Sequence, residues 1–152
     1  MKGITLEGHK AIVTGGAQGL GAAITEHLAE EGCDVVVWDI NLEQARATAA
    51  DVAARTGRLV EGRAVDVTDA DAVRDAVDEA VALMGRLDVM VCNAGILIAG
   101  DSLTFDADKW RKVIDVDLTG YFLCAREAAR VMVPRGRGSI IQINSKSGKK
   151  GS

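Results

Sequence analysis

The sequence predicts an α/β fold in which a doubly wound parallel sheet of five strands is covered by four helices. Short apolar runs alternate with longer segments of helical periodicity, and the runs are apolar almost without interruption, as in strands buried on both faces. Because connections between parallel strands are right-handed, few other topologies fit this alternation of strands and helices. Because no repeat or linker divides the 152 residues, we expect one domain, residues 1–152, whose sheet is incomplete on its C-terminal side.

Each candidate strand is bounded by polar residues or glycine. The five runs are AIVT (11–14), DVVVWD (34–39), RLVEGRAV (58–65), DVMVCN (88–93) and SIIQIN (139–144). Since no further run follows 139–144, we expect this last strand to form a sheet edge with unpaired backbone groups.

Four segments between these runs have the spacing of amphipathic helices. The first follows the glycines near residue 21, the second covers 41–56 with Asn41 as its cap, and the third covers 69–84 with Thr68 or Asp69 as its cap. The fourth covers about 106–132, and we expect its broad apolar face to lack a covering partner. Its apolar stripe consists of Trp110, Val113, Ile114, Leu118, Tyr121, Ala125, Ala128 and Met132.

The composition excludes several classes of protein. Hydrophobic residues make up 48% and charged residues 26% of the chain, which is typical of a globular domain rather than a disordered one. No run reaches membrane-spanning length, and residues 1–10 do not resemble a signal peptide. Three widely spaced cysteines with only two histidines argue against a disulfide framework or a metal site, so we expect a reducing, cytoplasmic location.

The charge is unevenly distributed along the chain. A net charge of −4 argues against a general nucleic-acid binder. From Arg126 onward, however, seven basic residues stand against one acidic residue. These residues form either a solvated helix end and loop or a basic rim that attracts an anionic substrate. The sequence leaves both interpretations open.

The stretch TGGAQGLG, residues 14–21, lies between the first strand and the first helix. Glycines at 15, 19 and 21 allow the backbone to approach a pyrophosphate at the helix N-terminus, as in a Rossmann-type domain. A triphosphate-binding P-loop is a poor match because no Lys-Ser/Thr pair follows the glycines.

Asp39 ends the second predicted strand, 18 residues after Gly21. Its carboxylate is suited to accept hydrogen bonds from an adenosine ribose, whereas a 2′-phosphate would meet a like charge that nothing basic near Gln18 or Ile40 offsets. The predicted cofactor is therefore NAD rather than NADP. The alternative is that the glycines only close a turn and Asp39 only caps it.

Three motifs carry a specific family resemblance. TGGAQGLG resembles the TGxxxGxG fingerprint of the short-chain dehydrogenase/reductase family, CNAG (92–95) its NAG signature, and VDVTD (65–69) the end of its third strand. The resemblance covers essentially the whole chain. It implies that Asp66 and the Val67 backbone contact the adenine of the cofactor. It further implies that Asn93 both flanks the cofactor and holds the central sheet together. The implied cofactor-binding residues are Gly15, Gln18, Gly19, Leu20, Gly21, Asp39, Asp66, Val67, Asn93, Ala94 and Gly95.

The resemblance also implies a catalytic serine. INSKSG (143–148) matches the family pattern with Ser145 as the hydroxyl that polarises the substrate, whereas Ser147 does not fit the spacing. The family's Tyr-x-x-x-Lys pair, its general acid/base and the lysine that assists it, does not occur in these residues. Tyr121 has no lysine four residues later, and we expect it to be a core aromatic. We therefore expect this chain to be the N-terminal part of a longer enzyme and to be inactive alone.

Asp117 is a second departure from the family pattern, since it replaces the asparagine of the family's VNLxG stretch. In the family, that asparagine links the lysine of the Tyr-x-x-x-Lys pair to a proton relay. An ionised carboxylate accepts hydrogen bonds but cannot donate them. Asp117 lies beside the predicted apolar stripe, where burial would disfavour its charge unless a cation, such as the absent lysine, paired with it. Its catalytic role in the relay is left open.

Residues 121–127 and 140–152 are similar to the sorbitol-6-phosphate 2-dehydrogenase subgroup. Three lysines next to Ser145, among them Lys146 and Lys149, would attract a phosphate. We therefore expect an alcohol or sugar-phosphate substrate, with Ser145, Lys146 and Lys149 as its contacts, and a homo-oligomer in a full-length enzyme. The alternatives are an NAD-binding module without catalysis, such as a sensor or half of a split enzyme, and a truncated product without function.

Overall fold

The computed structural model describes residues 5–145 and contains the predicted parallel sheet. The strand order is β3-β2-β1-β4-β5, and all neighbouring pairs are parallel. The predicted fold class is thus confirmed, and the predicted strands shift by at most two residues at either end. The strands are β1 Lys10–Thr14, β2 Asp34–Asp39, β3 Val60–Ala64, β4 Val89–Cys92 and β5 Ser139–Gln142.

Helices cover both faces of the sheet. Alternate residues of the strands pack against α1 (Gly19–Glu30) and α2 (Leu42–Thr56) on one face. The other face packs against α3 (Ala70–Met84) and the C-terminal half of the fourth helix. The predicted apolar face of α3 is buried, apart from the half-buried Val81, and Asp69 rather than Thr68 caps this helix. The two apolar layers explain why the strands read as continuous hydrophobic runs.

The fourth helix is continuous but not uniform. It consists of α4 (Ala107–Ile114), a π-helical segment (Asp115–Gly120) and α5 (Tyr121–Met132). No residue of α4 is buried, and Trp110 and Leu118 are 60% and 58% exposed. Among the described residues, the first half of the predicted apolar stripe is therefore exposed, in agreement with the expectation that this face lacks a covering partner. Only the end of the stripe, at Ala128 and Met132, is fully buried.

The strand β5 forms one edge of the sheet and is exposed along its whole length. The predicted edge position of this strand is therefore confirmed. Among residues 5–145, none of the helices combines the length and the apolar character that crossing a bilayer requires.

Candidate functional site

The turn between β1 and α1 brings backbone segments closer together than a side chain would allow. Gly15 has a φ of +60°, and a Cβ added there would lie 2.9 Å from the Cα of Ala94. A Cβ added at Gly21 would lie 2.1 Å from the carbonyl oxygen of Gly15 and 2.6 Å from the side-chain nitrogen of Asn93. Glycine is therefore sterically required at both positions. The helix α1 already begins at Gly19, inside the glycine motif.

The N-terminus of α1 differs from those of the other long helices. Side chains of Asn41, Asp69 and Asp106 cap α2, α3 and α4 by accepting backbone N–H groups. In the described part of the chain, no side chain caps α1 in this way. The side chain of Gln18, its N-cap residue, instead accepts a hydrogen bond from Gln44 Nε2 at 3.3 Å. The first-turn amides of α1 thus remain available to an anionic ligand.

Asn93 and Thr14 join the ends of the two central strands. Asn93 Nδ2 donates to the carbonyl oxygens of Thr14 and Gly15, both at 3.1 Å. The buried hydroxyl of Thr14 accepts the backbone N–H groups of Asn93 at 3.0 Å and Ala94 at 2.9 Å. These four bonds hold the glycine turn against the loop after β4. Sequence reasoning did not identify Thr14, although a hydroxyl at the end of a buried strand was a usable signal.

Two acidic residues lie at the ends of β2 and β3. Asp39 is half-buried, and its carboxylate accepts the backbone N–H groups of Ala17 at 3.3 Å and Asn41 at 3.1 Å. Asp66 is exposed and accepts the backbone N–H of Thr68 at 2.9 Å. Each carboxylate retains lone pairs for a further donor, such as a ribose hydroxyl.

A cleft of about 730 Å³ collects these groups at the carboxyl ends of the strands. All the cofactor-binding residues predicted from the sequence line this cleft except Gly19. A ligand site at this edge is the general expectation for an open α/β sheet. The cleft also contains residues that sequence reasoning missed, and these come from α4 and the start of the π-helical segment. They are Asp108, Arg111, Lys112 and Asp115.

A second cleft of about 560 Å³ adjoins the first and contains Ser145. Asp117 and Tyr121 line it as well, so the structure brings both predicted catalytic residues to one cavity. Asp117 Oδ1 accepts the backbone N–H of Ile96 at 2.9 Å. The expected burial of Asp117 is wrong, since this residue is exposed on the π-helical segment. Tyr121 is half-buried against the core, as expected of a core aromatic, while also facing the cleft.

Two buried thiols, Cys92 and Cys124, lie beneath this second cleft. A hydrogen bond with Cys92, together with burial, holds the pKa of Cys124 far above its ordinary value. Cys124 is therefore a protonated thiol rather than a nucleophile at neutral pH.

The arginines near the C-terminal end of the described residues do not form a rim around either cleft. Arg126 and Arg130 pair with Glu127 on α5, and Arg135 pairs with Asp88 at the opposite end of the sheet. Because none of these arginines lines the two clefts, the interpretation as a substrate-attracting rim is wrong for them. The predicted substrate contacts Lys146 and Lys149 lie outside the described residues.

The fold and the cleft together define an α/β domain of the Rossmann type. The sequence profile of the short chain dehydrogenase family matches residues 9–152, and the chain belongs to this family.

Individual relatives support the same assignment. The chain is 38% identical to "2-dehydro-3-deoxy-L-rhamnonate dehydrogenase (NAD(+))" of Sphingomonas sp. (strain SKA58), over 95% of this chain and 57% of the relative. It is 42% identical to "Sorbitol-6-phosphate 2-dehydrogenase" of Escherichia coli (strain K12), over 93% of this chain and 56% of the relative. A short-chain type dehydrogenase/reductase from Mycobacterium marinum superimposes with a TM-score of 0.94 at 33% identity, covering 97% of this chain and 60% of that one. The chain thus spans little more than half the length of these relatives.

Proposed function

We propose that this chain binds NAD in the 730 Å³ cleft. The observation that carries the proposal is the uncapped N-terminus of α1, which faces the cleft beside glycines that exclude side chains. In this arrangement the first-turn amides bind the diphosphate, because its charge is complementary to the positive end of the helix. Asp39 accepts hydrogen bonds from the adenosine ribose, and Asp66 and Val67 border the adenine.

Asp39 makes the cleft selective for NAD over NADP in this proposal. A 2′-phosphate would approach its carboxylate in a half-buried position, where like charges repel strongly. Isothermal titration of the chain with NAD and NADP tests this. We expect NAD to bind at least about tenfold more tightly than NADP. The substitution Asp39→Asn should reduce this ratio of the two affinities. Equal affinities in the unsubstituted chain, or no binding of either dinucleotide, would contradict the proposal.

The chemistry that we propose for the full-length enzyme is oxidation of a secondary alcohol to a ketone. Bound NAD would accept the hydride, and the hydroxyl proton would pass to a general base that the full-length enzyme supplies outside residues 1–152. Ser145 would donate a hydrogen bond to the substrate oxygen, and Asp117 would hold the cleft wall through Ile96. Residues 1–152 contain one tyrosine, Tyr121, without a lysine four residues later, so they do not themselves supply an acid/base pair of the Tyr-x-x-x-Lys type. We therefore expect the isolated chain to bind NAD without measurable turnover.

We propose a polyol or polyol phosphate as the substrate, which would become a keto sugar. The lysines that follow Ser145 carry this proposal, together with the relative named for sorbitol 6-phosphate. The test is a full-length enzyme that contains this segment, with Lys146 and Lys149 both changed to alanine. We expect KM for sorbitol 6-phosphate to rise relative to KM for sorbitol. If both KM values change equally, the phosphate proposal fails.

A second candidate is an NAD-binding module without catalysis, a sensor or half of a split enzyme. It needs only the dinucleotide cleft, which residues 1–152 supply without a Tyr-x-x-x-Lys pair. The full-length protein distinguishes the candidates: NADH formation from sorbitol 6-phosphate would exclude the module, whereas NAD affinity without NADH formation would support it. The cytoplasmic location and a homo-oligomer of the full-length enzyme stay predictions.

A further inference from the structure

The cofactor cleft has a wall that none of the family motifs marks. Residues 108, 111, 112, 115 and 116 line the cleft, and this spacing is that of one face of a helix. The face belongs to α4 and the start of the π-helical segment, and it borders the same cavity as the glycine turn. It is exposed and highly charged rather than apolar, apart from Val116.

Most of the charged side chains that line the cleft are negative, and most of them already have a hydrogen-bond or ion-pair partner in the protein. Four carboxylates take part, those of Asp39, Asp66, Asp108 and Asp115, against the two cations Arg111 and Lys112. Arg111 Nη1 already pairs with Asp108 Oδ1 at 2.6 Å. Among the described residues, no carboxylate oxygen lies within 4.0 Å of the Lys112 ammonium. Lys112 is thus the cation on this lining whose charge is not already offset.

We infer that Lys112 supplies the counter-charge for the diphosphate of the bound dinucleotide. This inference rests on the proposed NAD binding. A ligand with two phosphate charges enters a cleft whose remaining side-chain charge is negative, and the helix amides offer only partial charges that act at short range. A flexible ammonium reduces this repulsion without occupying a fixed position. Its effect increases with the negative charge of the ligand and decreases with salt.

An uncharged ligand and a diphosphate ligand, adenosine and ADP-ribose, test the inference. We expect Lys112→Gln to weaken ADP-ribose binding about three- to tenfold at low salt, as expected for one partly screened charge. Adenosine binding should change by less than about twofold, and Lys112→Arg should retain the affinity for ADP-ribose. The loss should shrink at high salt.

Lys109→Gln is the matched control, because Lys109 is an exposed lysine of α4 that does not line the cleft. It removes the same net charge and should leave ADP-ribose binding within about twofold. The inference is overturned if Lys112→Gln binds ADP-ribose as the unsubstituted chain does, if Lys109→Gln causes the same loss, or if adenosine is weakened equally. If the unsubstituted chain binds neither ADP-ribose nor NAD, the proposed function fails and the inference fails with it.

Discussion

The two ends of the parallel sheet carry polar clusters of opposite character. At the carboxyl ends of β1 and β4, backbone amides and glycines border an open cleft, beside the buried hydroxyl of Thr14. At the amino ends of β1, β4 and β5, the carboxylate of Asp88 is 4% exposed and surrounded by donors. Arg86 Nε donates to it at 2.8 Å, Arg135 Nη2 at 2.9 Å, and the backbone N–H of Lys10 at 3.1 Å.

The Asp88 cluster connects three strands and two arginines. Its own backbone pairs with Lys10 and Ser139, so a single residue joins the starts of β1, β4 and β5. Burial raises the pKa of Asp88, but hydrogen bonds from Arg135 and Arg86 outweigh that effect and hold the pKa below its ordinary value. A perturbed carboxylate is often a sign of a functional site. Here every strong acceptor is satisfied, so the cluster stabilises the fold.

The difference shows how the two clusters contribute to the protein. Donors and acceptors at the amino end satisfy one another, whereas the first-turn amides of α1 and the carboxylates of Asp39 and Asp66 can still bind a ligand. Substitutions at the amino end should therefore change stability but not dinucleotide affinity. Substitutions in the glycine turn should change both, because the turn is packed against Asn93.

Gly21→Ala should have the largest effect. Its Cβ would overlap the carbonyl oxygen of Gly15 at 2.1 Å. We expect a loss of about 3 kcal/mol or more in the free energy of unfolding, together with loss of NAD binding. Gly95→Ala is the control, since its Cβ would meet nothing closer than 3.5 Å, and it should cost less than about 1 kcal/mol. Urea unfolding and NAD titration measure both effects. Equal stability of the two variants would contradict the steric explanation.

Asp88→Asn should reduce stability without changing NAD affinity. Removing the buried charge leaves Arg86 and Arg135 without their counter-ion, and we expect a cost of about 2 kcal/mol. The control is Asp78→Asn, which breaks the ion pair between the 55% exposed Asp78 and Arg130. That exposed pair should be worth less than about 1 kcal/mol. A loss of NAD affinity in a folded Asp88→Asn chain would show that the two ends are coupled.

The contribution of Asp88 should also depend on pH. Because its folded-state pKa is lowered, the ionised carboxylate stabilises the fold fully above the pKa of aspartate in the unfolded chain, about 3.9. That contribution is lost as the pH falls from there through the lower folded pKa. The difference in unfolding free energy between the unsubstituted chain and Asp88→Asn should therefore shrink below about pH 4. Urea titrations at several pH values measure it, and a difference that grows in acid would reverse the assigned sign.

Local patterns predicted much of this molecule. The face of α3 and its cap at Asp69 are encoded within 16 residues of sequence, and the glycine motif and Asp39 lie within one strand–helix–strand unit. Partners far apart in the chain were not predictable in this way. Thr14 binds Asn93 across 79 positions, and Arg135 binds Asp88 across 47. No local signal distinguishes such an arginine from one at a substrate rim.

The π-helical segment was the other feature that sequence periodicity did not predict. Its residues, DVDLTG, continue the apolar spacing of a regular helix, so a uniform period suggested that Asp117 lies against the core. In the structure Asp117 is instead exposed on the π-helical segment, and its Oδ1 accepts the backbone N–H of Ile96, a residue that lines both clefts. π-Helical turns are frequent at functional sites.

Substitutions of Asp117 should have the smallest effect and separate its positioning role from its charge. Asp117→Asn keeps an oxygen for the Ile96 N–H, so we expect stability and NAD affinity to change little, by less than about 0.5 kcal/mol each. Asp117→Leu removes the acceptor and should cost about 1 kcal/mol while speeding hydrogen exchange at the Ile96 amide. If Asn and Leu accelerate that exchange equally, the carboxylate charge rather than the hydrogen bond holds the loop. If neither substitution affects exchange, Asp117 has no positioning role, and the loop after β4 is held by Thr14 and Asn93 alone.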